Sequence, residues 1–118
     1  MGKVLAILFL IAAISLSACS SAFIDKDAVE DSLIAHKSEF NSCYEDGTNS
    51  LASRPSGRVR VNFVIGREGK SSQVFIEETT LHVPLVESCM VKAIEKIQFP
   101  PSQGEDAHIS YPFKFHSQ

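Results

Sequence analysis

The stretch "GRVRVNFVIGREGKSSQVFIEETT", residues 57–80, decides the fold. Val59, Val61, Phe63 and Ile65 occupy alternate positions, with Arg58, Arg60 and Asn62 between them. Side chains on a strand alternate between two faces, so this pattern predicts a strand with one face buried and one in solvent. Gly66-Arg67-Glu68-Gly69 follows, a short connection with glycine at each end, which predicts a tight hairpin turn. A phosphate loop is the other reading of these glycines, but no G-K-[ST] follows and Lys70 leads into a strand. The return segment "SSQVFIEETT" is rich in β-branched and aromatic residues and completes an antiparallel pair.

On the amino-terminal side, "IDKDAVEDSLIAHKSEFNSCYEDG" (residues 24–47) has helical spacing. Val29, Leu33, His36, Phe40 and the pair Cys43-Tyr44 recur every three or four residues, which makes one apolar stripe. Asp27, with Glu30 three residues on, has capping-box spacing, and Gly47 is placed to end the helix in a left-handed conformation. On the carboxyl-terminal side, Pro84 opens a second helix at a position where its missing N–H costs nothing. Val86, Cys89, Met90, Ala93, Ile94 and Ile97 form its stripe, and Pro100-Pro101 ends it. "HISYPFKF" (residues 108–115) is a third strand, with Ile109, Tyr111, Phe113 and Phe115 on one face.

The expected class is α+β: helix, strand, strand, helix, strand, with both helices on one face of a three-stranded antiparallel sheet. The crossover through the second helix carries the last strand past its predecessor to pair with the first, which predicts spatial order two-one-three.

The chain opens with "MGKVLAILFLIAAISLSACSS". A positive Lys3, an apolar run over residues 4–16 and a small-residue exit make a secretory signal. The run is shorter than the roughly 20 residues a spanning helix needs. Leu16-Ser17-Ala18-Cys19 resembles the lipobox of bacterial lipoproteins. That resemblance implies cleavage between Ala18 and Cys19 and lipidation of Cys19, and Ser20 after it implies the outer membrane, facing the periplasm. The plainer alternative is an ordinary signal peptide with Cys19 as an incidental thiol. The expected layout is a signal peptide over residues 1–18, a lipidated tether over 19–26 and a domain over 27–118.

The chain carries 11 basic and 14 acidic residues, with no tryptophan. An acidic balance offers no basic stripe for nucleic acid, and no cofactor motif or small-molecule substrate site is evident.

Cys43-Tyr44, Gly57-Arg58-Val59, Phe63-Val64-Ile65, Gly69, Cys89, Phe99-Pro100 and Tyr111-Pro112-Phe113 occur in an order that resembles the AgmX/PglI C-terminal domain, a relative of the TonB C-terminal domain. The resemblance covers about three quarters of the chain. It implies an α+β, non-catalytic envelope module that binds a protein partner in a motility, secretion or transport-associated complex. In that family the domain usually ends a longer protein; here it follows a lipid-anchor signal.

An oxidising periplasm favours pairing of cysteines in small exported domains. With Cys19 assigned to lipid, Cys43 and Cys89 remain, each on the apolar stripe of its helix, and they are expected to form a disulfide. The alternative is a thiol-redox or metal-handling protein using Cys43 and Cys89, with His36 as the nearest base, but no C-x-x-C, H-E-x-x-H or H-x₃₋₅-H motif supports it. Glu77 and Glu78 are strand neighbours and are expected on opposite faces, which rules them out as an acid–base pair. Tyr44 is expected to pack with its hydroxyl at the rim, and His82, His108 and His116 to lie at element ends. Pro112 and Lys114 are expected to blunt the edge made by the last strand. A partner strand is therefore expected along the other edge, at Gln73, Phe75, Glu77 and Thr79.

Overall fold

The computed structural model describes residues 23–117. The expected signal peptide, the expected cleavage between Ala18 and Cys19 and the expected lipidation of Cys19 lie outside the described residues. The elements run α1 (Lys26–Ala35), α2 (Lys37–Thr48), β1 (Gly57–Ile65), β2 (Ser71–Thr79), α3 (Pro84–Glu95) and β3 (Ala107–Phe115). The strands form one antiparallel sheet in the order β2-β1-β3, as the crossover argument predicts.

The core lies between one sheet face and the helices. Val59, Val61, Phe63 and Ile65 of β1 are buried there with Val29 and Leu33 of α1, Phe40 and Tyr44 of α2, and Val86, Met90 and Ile94 of α3. The aromatic row of β3 meets α2 ring for ring: Phe113 on Phe40 at 4.7 Å and Phe115 on Tyr44 at 5.0 Å. Four residues of helix rise about 6 Å and two residues of strand about 6.6 Å, so an i, i+4 pair on α2 matches an i, i+2 pair on β3. The Tyr44 hydroxyl donates to the Pro55 carbonyl at 2.8 Å, which holds the polar loop before β1 against the helix.

Three local expectations change. The first helix is two helices. The His36 ring Nδ1, carrying its proton, donates to the Ser32 carbonyl at 2.8 Å, the acceptor that a continuous helix reserves for the His36 amide. That amide turns to the Leu33 carbonyl instead, at 3.1 Å, and α2 starts afresh from the His36 carbonyl. The cap of α1 is Asp25, whose side chain accepts from the amides of Asp27 and Ala28. Ordered pairing begins earlier still, because Phe23 and Gln103 exchange two backbone hydrogen bonds of 2.9 Å. Gly47 is no left-handed stop but a residue inside α2, where it permits close approach: a Cβ there would lie 2.6 Å from Val86 Cγ2. Gly69 does take a left-handed conformation, at φ 78°, and a side chain there would run into the Phe99 carbonyl.

Candidate binding surface

The close approach at Gly47 sets α2 against α3 and brings Cys43 to Cys89. The two are disulfide-bonded, with Cα atoms 5.5 Å apart and a sequence separation of 46. Cys43 is 3 % exposed and Cys89 half-buried, so the bond sits in the helix–helix seam, beside a groove lined by Glu39, Lys92 and Lys96. Both sulfurs are used in the bond, so neither is a thiolate that could ligate a metal. No group of three or more His, Cys, Asp or Glu side chains suited to a metal ion occurs among the described residues.

The two edges of the sheet differ. β1 and β3 pair without a register shift from Gly57↔Phe115 to Ile65↔Ala107. β1 and β2 do not: the register slips once between Arg60 and Val61 and again between Asn62 and Val64. Each slip inserts one extra residue into β2, a β-bulge. Gln73, in the second bulge, has φ 50°, a conformation non-glycine residues adopt rarely. Gln73, Phe75 and Glu77 are exposed and Thr79 half-buried, but they do not line one uninterrupted edge. Bulges twist an edge away from strand addition, so this edge is a poorer template than its composition suggests. Between the two bulges the run Val74-Phe75-Ile76 keeps the in-out alternation of a regular strand. Of these three, Val74 and Ile76 pack against the core, while Phe75 is 53 % exposed on the opposite face.

The first bulge also corrects the reading of Glu77 and Glu78. With Glu77 extra, both carboxylates reach the helix-free face. Glu78 lies 3.9 Å from Arg58, and Glu77 accepts from the Ser110 hydroxyl, which in turn accepts from Arg60. The ion pair is exposed and adds little to stability. Asn62, at the centre of this face, has a buried Oδ1 without a hydrogen-bond partner among the described residues.

β3 shows the expected alternation: His108, Ser110, Pro112 and Lys114 are exposed, whereas Tyr111 and Phe113 are half-buried toward the helices. Beside this strand the break at His36 opens a groove that periodicity did not reveal. It encloses about 300 Å³ between the end of α1, the start of α2 and the second half of β3. Leu33, Ile34, Phe40, Tyr111 and Phe113 supply its apolar lining, and Ile34 is 55 % exposed. Lys37 and Lys114 stand in the lining, which includes no acidic residue. Deeper along β3, burial raises the Tyr111 phenol above its ordinary value of 10.0, and the Glu30 carboxylate adds to the shift.

Among solved structures, the chain is similar to the TonB C-terminal domain of Helicobacter pylori, with 16 % identity and a TM-score of 0.48, over 72 % of this chain and 92 % of that one. No protein-family model and no curated protein matches the chain.

Proposed function

We propose that this protein is a lipid-anchored envelope module of the AgmX/PglI C-terminal type, without chemistry of its own, that binds a protein partner in the periplasm. The anchor is Cys19, acylated after cleavage behind Ala18, in the outer membrane. The observation that carries the binding role is the groove beside β3: apolar walls from Leu33, Ile34, Phe40 and Phe113, with two lysines and no carboxylate in its lining. On a chain of net charge −3 that local positive field is a selective feature. It suits an extended partner segment with apolar side chains and acidic flanks. Pro112, which has no N–H to offer, weakens plain strand pairing at this edge and leaves recognition to the side chains in the groove. The bulges in β2 argue for this surface over the opposite edge.

A photo-crosslinking residue in place of Ile34 or Asn41, compared in cells with one in place of Gln73 or Glu77, tests the reading. A common partner adduct at Ile34 and Asn41 that disappears in a Lys37→Glu, Lys114→Glu protein is expected. Adducts confined to Gln73 and Glu77 would move the contact to the β2 edge. Fatty-acid labelling that is lost in Cys19→Ala tests the anchor separately. The thiol-redox alternative predicts a labile disulfide, whereas the structural role predicts a reduction potential below about −300 mV.

A further inference from the structure

Phe23 is 67 % exposed, more so than most apolar side chains of the domain, and it is not on a loose end. Its backbone is held to Gln103 by two hydrogen bonds of 2.9 Å, and the Asp25 cap starts α1 two residues later. The fold thus grips the chain up to Phe23 and points a large aromatic ring into solvent there.

We propose that Phe23 is a membrane-contact residue that seats in the interface of a phospholipid bilayer and stands the domain on the membrane by one chosen end. The inference rests on the acylation of Cys19 proposed above. Three residues separate Cys19 from Phe23, and the four extended steps between them span at most about 14 Å. A ring so close to the acyl chains lies within reach of the boundary between headgroups and acyl chains, where an apolar side chain such as phenylalanine is buried.

The end that would face the membrane follows from the pairing. Phe23 bonds to Gln103, Ser102 donates its amide to the Gly66 carbonyl, and Arg67 Nε donates to the Gly104 carbonyl. The 66–70 connection and the 101–106 loop therefore share the end with Phe23. β1 reaches that end at Ile65 and starts at the other at Gly57, about 26 Å away at 3.3 Å per residue. Ser56 and Ser117 meet at the far end. The groove, which uses the second half of β3, is held toward the periplasm rather than against lipid.

Charge does not make this contact. The near end carries Lys26, Arg67 and Lys70 against Asp25, Asp27, Glu68, Glu105 and Asp106. Acids outnumber bases, so anionic lipid should not strengthen the docking.

The test uses the acylated full-length protein reconstituted in phosphatidylcholine vesicles, with a photo-crosslinking residue in place of Phe23, Glu68, Asn49 or Ser53. Lipid adducts at Phe23 and Glu68, several-fold above those at Asn49 and Ser53 and not increased by phosphatidylglycerol, are expected. In a Phe23→Ser protein the Glu68 adduct should fall several-fold while fatty-acid incorporation is unchanged. The exposed position makes that variant safe for folding, because the pairing to Gln103 is through backbone. Equal adducts at both ends, or a Glu68 adduct indifferent to Phe23→Ser, would overturn the inference and leave the anchor standing. A protein that incorporates no fatty acid would overturn the anchor and this inference with it.

Discussion

Single residues carry more of this fold than their chemistry suggests. Gly47 allows α2 and α3 to touch, since a methyl group there would meet Val86 at 2.6 Å from its Cγ2 and 3.0 Å from its amide nitrogen. Gly47→Ala gains up to about 1 kcal/mol of helix propensity, against about 1–3 kcal/mol for overpacking. A net loss is expected, read as a lower urea midpoint; a raised midpoint would show that the helices can move apart without cost. Tyr111 gives a pH signature. Its phenol holds its proton more tightly in the folded state, through burial first and Glu30 second. The associated stability is fully present below the unfolded value near pH 10.0 and is lost as pH rises through the folded value. Tyr111→Phe should flatten that alkaline loss, measurable as thermal midpoints between neutral pH and pH about 11.

At the level of elements, the sheet is asymmetric: one ladder regular, the other interrupted twice. The bulges let β2 keep Val74 and Ile76 on the core while Glu77 and Glu78 both turn outward. Gln73 bears the strain of that path, its φ of 50° costing a non-glycine residue roughly 1–2 kcal/mol. Gln73→Gly should therefore be neutral or stabilising, and Gln73→Val destabilising, although valine is the better strand former. Equilibrium urea unfolding of the two variants decides it: a more stable valine variant would mean that β2 straightens and the bulge is not built in.

For the whole molecule the disulfide is the principal staple. It closes a loop with a separation of 46, for which the chain-entropy model gives about 4 kcal/mol. Small domains have a net stability on the order of 5–15 kcal/mol. Cys43→Ala and Cys89→Ala should each cost a similar, large amount, and the double variant no more than either, because both remove one bond. Additive losses in urea titrations would show that the two cysteines contribute separately. Gly47 packs one helical turn from Cys43, so Gly47→Ala and the cysteine variants are close enough to couple.

The sequence by itself determined the order of the elements, the faces that β1, β3 and the helices bury, the two-one-three strand order and the pairing of Cys43 with Cys89. The elements and their buried faces follow from periodicity and proline placement, the strand order from the handedness of a crossover, and the pairing from two cysteines on the apolar stripes of helices that share one sheet face. The alternation of Val59, Val61, Phe63 and Ile65 is enough to orient β1, and Tyr111, Phe113 and Phe115 orient β3 in the same way. Tertiary structure alone decided the break at His36, the two bulges in β2, the role of Gly47 and hence the groove. The stripe Val29, Leu33, Phe40, Cys43 keeps its spacing across the break, so periodicity reports one helix where a ring nitrogen has taken an amide's acceptor. A bulge is likewise a property of two paired strands, and neither strand's own pattern contains the register of the other. What faces inward is encoded along the chain; where two elements come apart to leave a cavity is settled only when they pack.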